Sequence, residues 1–216
     1  MSCSFNIKNL SYKNDTKHLF SNINLDVGHE QKIAIIGSNG AGKSSLLKII
    51  AGLESNYEGE LHLFHNKISS KKEYEKFRSD IGYLPQDVSD FFLCPTVIED
   101  VMFNLRCRGE KKEEAYTKAL VILEQLNIVH LKDRIIYDLS GGEQKIVAIA
   151  GILITKPKIL LLDEPTNALD SSSEQKIIEL LNSINKSMVI VSHHKSFIEK
   201  LAPTIYELKS NGLKLI

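Results

Sequence analysis

Residues 37–44 read Gly-Ser-Asn-Gly-Ala-Gly-Lys-Ser. They lie between a short apolar run, KIAII at 32–36, and a helix-like stretch, SSLLKIIAGL at 44–53. Glycines let the backbone curl until successive N–H groups point inward, and a helix starting there turns its positive end toward the same point. The spacing G-x-x-x-x-G-K-[ST], after a strand and before a helix, is that of a phosphate-binding loop. Taken alone, the loop could also be a glycine-rich connection with no ligand. In this context Gly37, Ser38, Asn39, Gly40, Ala41, Gly42, Lys43, Ser44 and Ser45 are expected to cradle a nucleotide's phosphates. Lys43 would bridge the β and γ phosphates, and the Ser44 hydroxyl would ligate Mg²⁺.

Three stretches, KIAIIG (32–37), ILLLDEP (159–165) and MVIVSHH (188–194), are continuous apolar runs that end in polar residues. Strands covered by helices on both faces read this way, so they predict a parallel α/β core. Ligand residues of such sheets stand at the carboxyl ends of strands, where Gly37, Asp163 and His193 fall. FNIKNLSY and INLDV instead alternate, with Phe5 and Ile7, then Ile23, Leu25 and Val27, on one face. That pattern predicts half-exposed antiparallel strands. KKEYEKFRSD at 71–80 reads as a solvated charged face. Residues 112–127 read as a helix, with Ala119, Ile122, Leu123 and Leu126 on one side. A helical lobe inserted into the core over roughly 87–155 follows. Asn211-Gly212, between apolar runs, predicts a hairpin turn.

Asp163 is expected to hold Mg²⁺, directly or through water, as the acidic partner of the phosphate loop. Glu164, the next residue, is placed to accept a proton from attacking water; otherwise it is a surface acid after a strand. A second glycine loop, Ser140-Gly141-Gly142-Glu143, has capping-box spacing, with Ser140 and Glu143 satisfying each other's N–H groups. A cap needs neither glycine, and paired glycines carry an entropic cost. A helix start stripped of side chains is itself a phosphate site. One phosphate loop already covers one triphosphate. The second loop could therefore close over the γ phosphate of a nucleotide held by another subunit, two copies facing head to tail.

The chain has 216 residues, and its 27 basic side chains equal its 27 acidic ones, which argues against a nucleic-acid partner. Cys3, Cys94 and Cys107 show no paired spacing and fit a reducing compartment. The opening MSCSFNIKNL has no basic region followed by an apolar core, so no leader peptide is expected. No apolar run approaches the ~20 residues of a spanning helix. Work at a membrane would be that of a peripheral subunit, on the cytoplasmic side. His62 and His65, three apart in LHLFHNK, are expected on opposite strand faces as surface residues.

Together GSNGAGKSS, Gln86 in GYLPQD, LSGGE, ILLLDEP, NALD and VSHH follow the order of the ATP-binding cassette ATPases, and the resemblance covers nearly the whole chain. It implies a P-loop α/β core with an antiparallel β subdomain and an inserted α-helical subdomain, in one domain over 1–216. It also implies ATP and Mg²⁺ as cofactors, a second ATPase subunit and a transmembrane permease as partners, and ATP hydrolysis coupled to transport. Tyr12 resembles the aromatic that stacks on adenine, although it also reads as a strand residue. Gln86 resembles the glutamine that senses the γ phosphate beside the metal and links to the membrane partner. Asp170 resembles the aspartate that communicates across the dimer, and His193 the switch histidine on the γ phosphate. The run QDVSDFFLCPTVIEDVMFN and Gly151 resemble the energy-coupling-factor and cobalt/nickel-uptake subgroup, which implies import of a metal ion or vitamin. A cassette of another system, such as lipoprotein release or cell division, or a soluble one acting on DNA or ribosomes, is the alternative.

Overall fold

The computed structural model describes residues 3–14, 17–167 and 169–216, with the Cys3 side chain outside the description. In chain order the elements begin β1 (Cys3–Lys13), β2 (His18–Gly28), β3 (Lys32–Ile36), α1 (Lys43–Ile50), β4 (Tyr57–Leu63), β5 (Asn66–Ile68) and α2 (Lys71–Glu75). There follow β6 (Ile81–Leu84), α3 (Val97–Cys107), α4 (Lys112–Gln125), α5 (Gly141–Leu153), β7 (Ile159–Asp163) and α6 (Ser171–Ser183). The chain finishes with β8 (Ser187–Val191), α7 (Lys195–Leu201), β9 (Thr204–Lys209) and β10 (Gly212–Leu215). Two compact units divide it: Met1–Tyr83 with Lys158–Glu164 and Ile184–Ile216, and Leu84–Pro157 with Pro165–Ser183.

The first unit is built on sheets. One runs β2-β1-β4-β5, and its pairings are antiparallel. The other runs β10-β9-β3-β8-β7-β6. Within it β9, β3, β8 and β7 are parallel neighbours, and β10 turns back antiparallel on β9 through the Asn211 hairpin. The continuous apolar runs explain this arrangement. Every residue of β7 and β8 is buried, as strands covered on both faces require. Each such aliphatic side chain contributes about 1.5–3 kcal/mol on burial. β2 alternates instead, burying Ile23, Leu25 and Val27 and exposing Asn24 and Asp26.

Two local expectations change in this unit. The 71–80 stretch is not wholly a solvated face. Tyr74 is buried and its hydroxyl donates to the Ile50 carbonyl at 3.1 Å, which ties α2 to the end of α1. His65 stands in the β4–β5 turn at φ 68, after Phe64 at φ 48. That left-handed pair interrupts strand alternation, so His62 and His65 border one shallow depression with Asn6, Lys8 and Asp26. Both are still surface residues, and among the described residues no cluster of three or more metal-ligating side chains forms.

The second unit is helical. Helix α3 packs against α4 and α5, and α5 also packs against α6. The expected apolar side of α4 is present in part: Ala119 and Leu123 are buried, Ala115 joins them, and Ile122 and the C-cap Leu126 are only half-buried. Helix α5 is apolar nearly all round and buries every residue from Lys145 to Ile152. A helix of that kind needs cover on several sides, which is why the unit takes in 165–183 as well as the predicted 87–155. Among the described residues no helix is long and apolar enough to cross a membrane.

Candidate active site

The phosphate loop joins β3 to α1 in the first unit. Gly42 caps α1 at φ 96, and no acidic side chain occupies the first turn, so the positive helix end is left open. Only glycine fits here. A Cβ on Gly42 would stand 2.8 Å from the Phe20 ring, in a backbone region that side chains avoid. Lys43 is buried and its ammonium donates to the Gly37 and Ser38 carbonyls at 2.8 and 3.1 Å. Burial pulls its pKa below the usual lysine range, while the Glu164 and Asp163 carboxylates pull the other way.

Asp163 ends β7 and is almost wholly buried. Burial raises its pKa, and a hydrogen bond from the Ser44 hydroxyl opposes that shift. Its Oδ1 is buried with no hydrogen-bond partner. Glu164 is also buried and adopts φ 46, an uncommon backbone region for a residue with a side chain. The Glu164 N–H donates to the Val191 carbonyl at 2.9 Å, which fastens the residue to the end of β8. His193 follows β8. Its N–H donates to Glu164 Oε2 at 3.4 Å and its Nε2 lies 3.3 Å from Glu164 Oε1. The first unit therefore brings together Lys43, Ser44, Asp163, Glu164 and His193, taken from three separate sequence stretches.

Tyr12, expected from the resemblance to stack on adenine, lies in β1. It is 8% exposed and belongs to the core. Its hydroxyl donates to Glu54 Oε2 at 3.0 Å, and its ring lies 5.9 Å from that of Phe20. Phe20 is the ring beneath Gly42. Tyr12 thus backs the wall on which the phosphate loop rests.

The second unit carries Gln86, Ser140, Gly141, Gly142 and Asp170. Gln86 is exposed, just beyond β6. Ser140 and Glu143 form the capping box: the Ser140 hydroxyl accepts from the Glu143 N–H, and the Ser140 N–H donates to Glu143 Oε2 at 2.8 Å. The two glycines have different reasons for being there. Around Gly141 a Cβ would meet nothing within 4 Å, whereas at Gly142 it would meet the Ser173 hydroxyl oxygen at 2.6 Å. Gly142 therefore serves packing inside the chain, and Gly141 alone is bare toward the outside. Asp170 caps α6, accepting from the Ser172 and Ser173 N–H groups and from the Ser173 hydroxyl at 2.8 Å. Ser173 thereby touches both Asp170 and Gly142, a role that sequence reasoning missed. The buried Lys145 adds a further tie, donating to the Asn167 carbonyl at 3.0 Å. Ala168, within NALD, lies outside the described residues.

Known proteins resemble this chain in sequence and fold. The family model for the ABC transporter matches residues 20–167. An uncharacterised ABC transporter ATP-binding protein of Haemophilus influenzae is 36% identical over 202 residues, which cover 94% of this chain and 93% of that relative. Among solved structures, cbiO1 of Clostridium perfringens, part of the ABC transporter complex cbiONQ, superposes with a TM-score of 0.87 at 28% identity. The match covers 100% of this chain and 88% of cbiO1. The dimeric cassette MJ0796 gives 0.84 at 31% identity, over 97% and 96% of the two chains. The same cassette is known as a dimer in a post-hydrolysis state with ADP and Pi. With its phosphate loop, buried carboxylates and capped second glycine loop, this chain belongs to the ABC transporter family as an ATP-binding subunit and is an ATPase.

Proposed function

We propose that the chain is the motor subunit of an importer. Two copies close head to tail on ATP and drive a transmembrane permease from the cytoplasmic face, the cargo being a metal ion such as cobalt or nickel, or a vitamin. Each copy is one cassette domain over 1–216, with the lobe at about 87–155 bearing the second glycine loop. The observation that carries this reading is the convergence of Lys43, Ser44, Asp163, Glu164 and His193 in one unit. The import cargo is supported by the likeness to cbiO1 and by the sequence run 86–104.

The residues suit a magnesium ion. Asp163 Oδ1 is buried and unpartnered beside the Ser44 hydroxyl, and hard oxygen donors of this kind are what Mg²⁺ selects. Ser44 and Asp163 would hold it, with Gln86 as a further oxygen ligand that senses the γ phosphate. When bound, the ion polarises the β and γ phosphates. Lys43 leaves its two carbonyls to pair with those phosphates, and the amides of residues 38–45 orient them. Glu164 accepts a proton from the attacking water, and His193 holds that carboxylate in place while contacting the γ phosphate. Ser140, Gly141 and Gly142 of a second copy close the site, and Asp170 transmits that closure.

The test is Glu164→Gln. The variant is expected to bind ATP and form a stable dimer on size-exclusion chromatography, with turnover reduced about 10²- to 10⁴-fold. A variant that stays monomeric with ATP would remove the sandwich from the reading.

A further inference from the structure

We propose that Tyr137 completes the nucleotide site of the closed pair, its ring packing on the adenine of the ATP held by the phosphate loop of a second copy. The inference rests on the two-copy reading above and deepens it by assigning a residue to the base.

The first observation is a missing platform. Both Tyr12 and Phe20, the described Tyr and Phe residues where β1 turns into β2, are buried in the core. Neither offers an open ring face to a base. The second is a ring without cover. Tyr137 is 64% exposed, the most exposed aromatic side chain among the described residues. Tyrosine is enriched where surfaces become interfaces, and this one stands three residues before Ser140.

The third observation is that the backbone carrying this ring is held. It sits in a 3-10 turn, Ile136–Asp138, immediately before Ser140. Its neighbours Ile136 and Leu139 are buried anchors. The Gln144 side-chain amide donates to the carbonyls of both, each at 3.2 Å, and so clamps the turn to α5. A turn whose backbone is set during folding leaves only the two side-chain torsions of Tyr137 to be ordered on meeting a ligand.

Reach and chemistry agree with the assignment. Three residues of chain span at most about 10 Å, the order of the distance from a γ phosphate to its base. The 3-10 turn shortens that span, at about 2 Å rise per residue within it, and the length of the tyrosine side chain makes up the difference, so a loop whose Ser140 meets the γ phosphate can present Tyr137 to the purine. A tyrosine face stacks on a purine, and its hydroxyl edge stays wet.

The chain contains no tryptophan, so Tyr137→Trp supplies a single reporter. In the Glu164→Gln background, adding ATP is expected to quench its emission in step with dimer formation on size-exclusion chromatography. In the same background, Tyr137→Ala is expected to raise the ATP concentration for half-maximal dimer about tenfold. Tyr137→Phe, which keeps the ring, is expected to recover that loss. Dimers that form at unchanged ATP concentration in Tyr137→Ala, with steady emission from Tyr137→Trp, would overturn the assignment and leave the two-copy reading standing. A Glu164→Gln chain that never dimerises would overturn both.

Discussion

The Ser173 side chain fills the space in which a side chain at position 142 would begin: a Cβ on Gly142 would stand 2.6 Å from Ser173 Oγ and 2.8 Å from Ser173 Cβ. Gly142→Ala is therefore expected to force α5 and α6 apart and to cost about 1–3 kcal/mol of stability, seen as a lower melting temperature. Adding Ser173→Gly to the same chain empties that space, and the double change is expected to cost less than the sum of the two single ones. Gly141→Ala has open space around it and is expected to melt like the unmodified protein while dimerising poorly with ATP. Equal melting losses at the two glycines would contradict the packing account.

Tyr12 gives a second separation of fold from ligand. Its burial predicts that Tyr12→Ala loses about 3–5 kcal/mol in urea unfolding. Removing only the hydroxyl, in Tyr12→Phe, gives up the bond to Glu54 and is expected to cost about 1 kcal/mol. An alanine variant of normal stability that binds ATP weakly would restore the stacking role.

Asp163 sets function against stability. Its raised pKa means that the folded chain holds this proton more tightly than the unfolded chain, whose carboxyl titrates near 3.8. The fold is therefore favoured below that value, and the advantage is lost as pH rises through the folded-state pKa. Asp163→Asn has no charge to bury. It is expected to abolish ATP hydrolysis yet gain on the order of 1 kcal/mol at pH 7, a gap that closes toward pH 3. Thermal melts across that range decide it. A less stable variant at pH 7 would mean that the Ser44 bond and the Lys43 charge outweigh burial.

Gln144 clamps the turn before Ser140 through two carbonyls. Gln144→Ala is expected to lower stability by about 1 kcal/mol. It is also expected to speed amide hydrogen exchange at residues 137–140 well beyond that at 146–150. Uniform exchange across both segments would argue that the turn is held by its buried anchors alone.

What could be read from residues alone was whatever depends on near neighbours. The strands β3, β7 and β8 were legible because an apolar run needs no distant partner to be recognised. The capping box was legible because Ser140 and Glu143 lie one helical turn apart. Tyr12 was not. Its alternation marks a strand, but its burial depends on Glu54, 42 residues away, and on Phe20. The reason for Gly142 was hidden in the same way, since Ser173 lies on another helix. A serine three residues after an Asp cap was the only local hint. Tyr74 was masked by the charges around it. The left-handed turn at Phe64 and His65 contains no glycine to announce it.

Lys43 is bonded to the carbonyls of its own loop, which gives the cradle an internal strut. Its curvature is tied to the fold by these two contacts, as a preorganised site requires. The same strut makes the loop selective by competition, because an incoming anion must outbid two backbone dipoles for one ammonium. A short, weakly charged ion gains little from that exchange, whereas a chain of phosphates also reaches the helix end and the amides beyond it.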